Sequence, residues 1–209
     1  MKSPLIRWII FNIILFTVGI GLGAGHYPVD FDGLRCPTYE GNSTLAECFQ
    51  FGAFLGVMTG LVIGLGQGVF LRKQLGWSHN QFIGWVAATT VAFSLGHAIG
   101  DSAPIPQVLP LSAVGLGLLS GVTLGGLQWL VLRDSLANAS RWIWYSTLGF
   151  GIGLGLLGVA AMLLLDKNRN SVWGWSGGVD VLVFVALGGL FVGGIWAAAT
   201  GRLLVSKGS

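Results

Sequence analysis

Charge is what this sequence has least of. Asp, Glu, Lys and Arg make up 9% of its 209 residues, where a soluble globular chain carries about a quarter. So few ionised groups cannot clothe a surface in water, and with 53% of residues hydrophobic a sizeable soluble domain is excluded. Six apolar spans of about 20 residues would take up roughly three fifths of the chain. Cysteine is scarce too: only Cys36 and Cys48 are present, with no third Cys or His at ligand spacing, so a zinc-type centre is not expected between them. The chain shows no nucleophile beside a base, no paired intramembrane carboxylates and no phosphate loop, so catalysis is not expected. No basic run resembles a nucleic-acid surface. What the chain does have in abundance is glycine, 35 residues, without the three-residue period of collagen and alternating with Leu, Val, Ile and Phe.

Apolar stretches run over residues 5–25, 51–71, 81–100, 108–132, 142–165 and 179–204. Each is long enough to cross a hydrocarbon core of about 30 Å as a helix, and none shows the apolar-polar alternation of a barrel strand. The expected fold is therefore an all-α bundle of six transmembrane helices in one integral membrane domain, residues 1–209. The first stretch also fits a cleavable signal, but its apolar core exceeds the usual 7–15 residues, and a retained helix is expected. Lys2, Arg7, Arg72, Lys73, Arg133, Arg141, Arg202 and Lys207 fall on one side of a six-span topology, against Arg35, Lys167 and Arg169 on the other. That bias places both termini in the cytoplasm. Cys36 and Cys48 then lie in the non-cytoplasmic connection after the first span, where a disulfide would staple a loop with little apolar content.

The chain repeats itself. Gly56, Gly60, Gly64, Gln67, Leu71 and Arg72 align without gaps to Gly117, Gly121, Gly125, Gln128, Leu132 and Arg133. Trp85, Thr89, Phe93 and Gly96 likewise match Trp142, Ser146, Phe150 and Gly153. The unit is a helical hairpin, present at 51–100 and 112–165. Trp8, Asn12, Phe16 and Gly19 carry the second-half spacing. A degenerate first half lies in the last span, with Gly189 and Gly193, Trp196 where Gln67 would be, and Arg202 displaced by one residue. Residues 179–204 and 5–25 would together form a third hairpin, giving three around a pseudo-threefold axis.

Glycines four apart share a helix face and let another backbone approach closely. Gly56, Gly60 and Gly64, then Gly117, Gly121 and Gly125, then Gly189 and Gly193 are the expected packing faces. Asn12, Gln67, Thr89, Gln128 and Ser146 fall about one turn inside the cytoplasmic boundary. They are read as interhelical hydrogen-bonding groups, with a polar vestibule as the sharper alternative. Arg72 and Arg133 are placed to meet lipid headgroups. His97 shares a helix face with Asp101, and it or His26 is the candidate contact for a pigment, a chlorophyll or carotenoid. His79 is read as a loop residue.

The stretch from Gly121 to Gly158 resembles a pattern recurrent in multi-span membrane proteins of cyanobacteria and Chloroflexi, in which a Gln-Trp-x-x-Leu-Arg helix end precedes a Trp-bearing helix and a glycine-rich run. Gln128, Trp129, Leu132, Arg133, Trp142 and Gly149 carry the likeness; the first copy departs from it with Gly68 in place of Trp129. The resemblance implies a bacterial inner or thylakoid membrane and brings no activity with it. The expected function is a non-enzymatic accessory protein, a subunit or assembly partner of a larger membrane complex, which the resemblance implies to be photosynthetic. Its partners would be the lipid bilayer and other membrane proteins, not nucleic acid. A small-solute channel or carrier and a pigment-binding protein are the alternatives.

Overall fold

The computed structural model of the chain describes residues 4–24, 45–102, 110–165 and 178–205. The described residues are helical, with no strand among them. They form α1 (Pro4–Ala24), α2 (Leu45–Leu75), α3 (His79–Ser102), α4 (Pro110–Leu132) and α5 (Arg141–Leu165). The last span is α6 (Gly178–Gly188), a π-helical stretch Gly189–Gly194 and α7 (Ile195–Val205), which run on without a break. Six helices are long and apolar enough to cross a membrane. So many glycines and β-branched residues would make poor helices in water. In lipid every backbone amide must be paired within the segment, and that requirement overrides propensity.

Two ends differ from the sequence reading. α2 begins at Leu45, so Cys48 stands in the first turn of that helix and not in the connection before it. His79 is the first residue of α3, not part of a loop. The turn between α2 and α3 explains its brevity. Gly76 takes a left-handed φ of 68°, where a side chain would be strained. Its amide and that of Trp77 both return to the Arg72 carbonyl, at 3.0 and 3.3 Å. Ser78 and Gln81 then form a reciprocal cap: the Ser78 amide donates to Gln81 Oε1 at 3.0 Å and the Gln81 amide to Ser78 Oγ at 3.3 Å, so two free donors at the helix start are satisfied. Pro110 opens α4 and Pro4 opens α1, positions where a missing amide hydrogen is harmless.

Each helix packs on its neighbours in the chain, and the last span returns to pack against α1, so the helices close into a ring. The tightest pairings are α2 with α3, α4 with α5, and α1 with the last span. Glycine makes these pairings. A Cβ at Gly117 would lie 2.5 Å from the Phe150 carbonyl oxygen, and one at Gly121 would lie 2.6 Å from the Ser146 carbonyl oxygen. Gly56 meets Phe93 and Ser94, and Gly60 meets Thr90, at the aligned positions of α3. In the last span, Gly189 meets Thr17 and Ile13 of α1, and Gly193 meets Asn12 and Phe16. The approach is close enough that backbone touches backbone, which in lipid replaces the missing hydrophobic drive with dispersion contacts.

The last span carries one residue more than α2 and α4 between matching positions. Twelve residues separate Gly60 from Arg72 and Gly121 from Arg133, but thirteen separate Gly189 from Arg202. A π turn absorbs one extra residue without rotating the flanking helix out of phase. The extra residue is not the one the π stretch absorbs: Gly189, Gly193 and Trp196 keep the spacing of Gly60, Gly64 and Gln67, so the added position falls after Gly189–Gly194, between Trp196 and Arg202.

Candidate functional site

The ring is filled from the odd-numbered helices. On α1, α3 and α5 a Trp, a small polar residue and a Phe recur every four residues, so each set lies on one face. Trp8, Trp85 and Trp142 are buried, as are Asn12, Thr89 and Ser146. Phe16, Phe93 and Phe150 meet one another: the ring centroids are 5.8 Å apart for Phe16 with Phe93, 5.8 Å for Phe16 with Phe150, and 6.2 Å for Phe93 with Phe150. The interplanar angles are 60°, 61° and 65°, edge-to-face packing that places the positive rim of one ring against the negative face of another. The centre of the ring is thus occupied by three mutually packed phenylalanines.

About two turns toward the expected cytoplasmic side lies a layer of indoles. Trp85 packs on Trp142 at 5.7 Å, Trp142 on Trp196 at 5.8 Å, and Trp196 on Trp8 at 5.8 Å. Between the indoles and the phenylalanines runs a set of side-chain hydrogen bonds joining successive spans. Gln67 on α2 donates to Asn12 Oδ1 on α1 at 2.7 Å. Gln128 on α4 donates to Thr89 Oγ1 on α3 at 3.0 Å. Trp196 on α7 donates to Ser146 Oγ on α5 at 3.0 Å. In each case an N–H donor reaches the small polar residue of the preceding span.

Further bonds tie the layer inward. Asn12 Nδ2 donates to the Trp8 carbonyl at 2.8 Å, Trp142 Nε1 donates to Gln128 Oε1 at 2.9 Å, and Trp8 Nε1 donates to Thr200 Oγ1 at 3.4 Å. Contacts on the opposite side of the phenylalanines follow the same order: Gly19 packs on Thr59 and Ile63, Gly96 on Ser120, and Gly153 on Phe191 and Val192. Thr59 Oγ1 also donates to the Gly19 carbonyl at 3.1 Å.

The five polar residues singled out from sequence therefore lie together, and each is fully enclosed. Reading them as polar neighbours was within reach of the sequence; the part of Trp196 was not, because an indole and an amide look unlike until both are seen as N–H donors. The meeting of the phenylalanines was also missed. Its signal, a Phe eight residues after each Trp, was present in the repeat.

Other residues fall elsewhere. His97 lies one turn beyond Phe93 on α3 and is half-buried, with Ile20 and Leu154 at the aligned positions of α1 and α5. His26 and Cys36 lie outside the described residues, as do the side chains of Cys48 and Asp101, so the cysteine pair and the His97–Asp101 pair fall outside what the structure describes. Among the described residues no cluster of three or more His, Cys, Asp or Glu could hold a metal ion. Arg72 and Arg133 are exposed at the helix ends. Arg133 stands 3.9 Å from Asp134, and the Arg72 guanidinium lies 6.0 Å from the Phe82 ring centre. Nearby, Trp77 and Gln81 both donate to Ser135 Oγ, at 3.2 and 3.0 Å, which links the α2–α3 turn to the segment after α4.

Compared with known proteins, the chain matches no protein-family model, no curated protein and no solved structure.

Proposed function

We propose that the chain is a non-enzymatic accessory protein of a bacterial inner or thylakoid membrane, a subunit or assembly partner of a larger membrane complex, with both termini cytoplasmic. Its body is three helical hairpins around a pseudo-threefold axis, α2 with α3, α4 with α5, and the last span with α1. The threefold reading is supported by the order of contacts: Gln67 to Asn12, Gln128 to Thr89 and Trp196 to Ser146 each cross from one hairpin to the next.

The observation that carries the functional reading is the mutual packing of Phe16, Phe93 and Phe150 at the centre of the ring. A solute moving along the axis would have to displace three interlocked rings and the indole layer beside them. The inner groups are engaged in holding helix to helix. The outer face presents Ile10, Ile14, Leu65, Val69, Val91, Leu119, Leu148, Ile152 and Leu190, an apolar surface suited to lipid and to other transmembrane helices. Arg72 and Arg133 at the rim would meet lipid phosphate.

Mild solubilisation of native membranes and separation of intact complexes tests this. The chain, 22.0 kDa by itself, is expected to migrate with a larger assembly and to bring its partners with it. Migration as a lone monomer under conditions that keep other complexes whole would remove the reading. Solute-specific flux in reconstituted vesicles would replace it with the channel. Visible absorption of the purified chain would replace it with the pigment protein, through His97 or His26.

A further inference from the structure

We propose that the hairpin of α2 and α3 holds a single buried water molecule between the indole N–H of Trp85 and the amide oxygen of Gln67. The second hairpin supplies the comparison. There Trp142 Nε1 donates directly to Gln128 Oε1 at 2.9 Å. The aligned pair in the first hairpin makes no such bond: Trp85 Nε1 and Gln67 Oε1 are both enclosed and both without a hydrogen-bond partner in the protein. Each belongs to a side chain that is 0% exposed. The third buried side-chain atom in this condition among the described residues, Thr90 Oγ1, belongs to the same hairpin.

The residue beside Gln67 packs on the Trp85 indole. A Cβ built on Gly68, the residue after Gln67, would lie 3.6 Å from Trp85 Cδ1, the carbon bonded to the indole nitrogen. What separates the hairpins is the partner on the adjacent helix. Gln67 gives its amide hydrogens to Asn12 Oδ1 at 2.7 Å, and Asn12 is itself fixed by a bond from its Nδ2 to the Trp8 carbonyl. Gln128 gives its hydrogens to the shorter Thr89 hydroxyl and still receives Trp142. The Gln67 amide is held toward α1, and its oxygen and the Trp85 N–H are left apart.

An enclosed donor and an enclosed acceptor cannot both go unpaired without a penalty, least of all in lipid. Water accepts from the one and donates to the other, which is the ordinary way such groups are satisfied in protein interiors. The site is polar, unlike the aromatic centre of the ring.

Nuclear magnetic resonance of the indole N–H groups, in the full chain labelled with nitrogen-15 on tryptophan and held in a lipid nanodisc, tests this. Assignment comes from Trp85→Phe and Trp142→Phe, or through-bond in the unaltered chain if either variant does not fold. The Trp85 N–H is expected to show a cross-peak to water and to exchange at least about tenfold faster than the directly bonded Trp142 N–H. A Trp85 N–H without a water cross-peak, as protected as that of Trp142, would mean a direct bond to Gln67 and would overturn the proposal.

Discussion

Gly121 and Gly126, five residues apart on α4, bear unlike constraints. A methyl group at position 121 would press on the Ser146 carbonyl and on Thr147 Cα at 2.6 Å, whereas one at 126 would meet nothing within 4 Å. Gly121→Ala should therefore force α4 away from α5 and destabilise the protein by about 1–3 kcal/mol, as overpacking does. Gly126→Ala should be neutral or stabilising by up to about 1 kcal/mol, through helix propensity alone. Thermal unfolding of the two variants in one detergent checks the difference; equal melting points would show that the glycine face is not a close contact.

Gln128 is expected to be equally sensitive for a different reason. Its amide both donates to Thr89 and accepts from Trp142, so Gln128→Leu strands the buried indole N–H and should cost about 1–3 kcal/mol. Loss of stability no greater than that of a lipid-facing change such as Leu130→Ala would contradict the inner polar layer. These residues were legible in the sequence because glycine and glutamine are conspicuous in an apolar helix. The contribution of the phenylalanines was not, since Phe is unremarkable there and only the closed ring brings three of them together.

At the scale of the element, the last span is the one that departs from regular helix. Its π stretch, Gly189–Gly194, accommodates one residue more than regular α-helix would. Deleting exposed Leu190 should turn the stretch into ordinary α-helix while keeping the faces of α6 and α7 in place. The deletion is expected to leave melting within a few degrees of the parent. Deleting Leu61, the position aligned to Leu190 in α2, rotates everything beyond it by about 100° and should abolish folding. Equal damage from the two deletions, read by size-exclusion profile and melting, would contradict the reading of the π turn as a one-residue insertion in the helix.

The number of spans and their approximate centres could be read from hydropathy, which reports the solvent of a segment. Their ends could not be. α2 begins within the polar stretch containing Glu47 and Cys48, because hydrogen bonding continues a helix past the point where hydrophobicity stops. The π stretch could not be read either, because a change of helix type has no residue signature of its own.

At the scale of the whole molecule, the ring closes only if the first and last spans are partners. Their packing is made by Gly189 and Gly193 on Ile13, Asn12 and Phe16, and by Gly201 on Leu5 and Trp8. Sequence pointed to this pairing through the repeat, although nothing local in either span announces a neighbour nearly two hundred residues away. A Cβ at Gly194 would lie 3.2 Å from Ile13 Cγ1, so the two positions are in side-chain contact and cysteines there stand near the upper end of disulfide reach. The decisive measurement is oxidative cross-linking of Ile13→Cys with Gly194→Cys in intact membranes, in a chain whose Cys36 and Cys48 are changed to serine. Gly84→Cys with Val131→Cys serves as the control between α3 and α4, where a Cβ at Gly84 would lie 3.4 Å from Val131 Cγ2. A closed ring predicts that both pairs form the disulfide with similar efficiency within one chain. Efficient reaction of the control pair with none between positions 13 and 194 would contradict it.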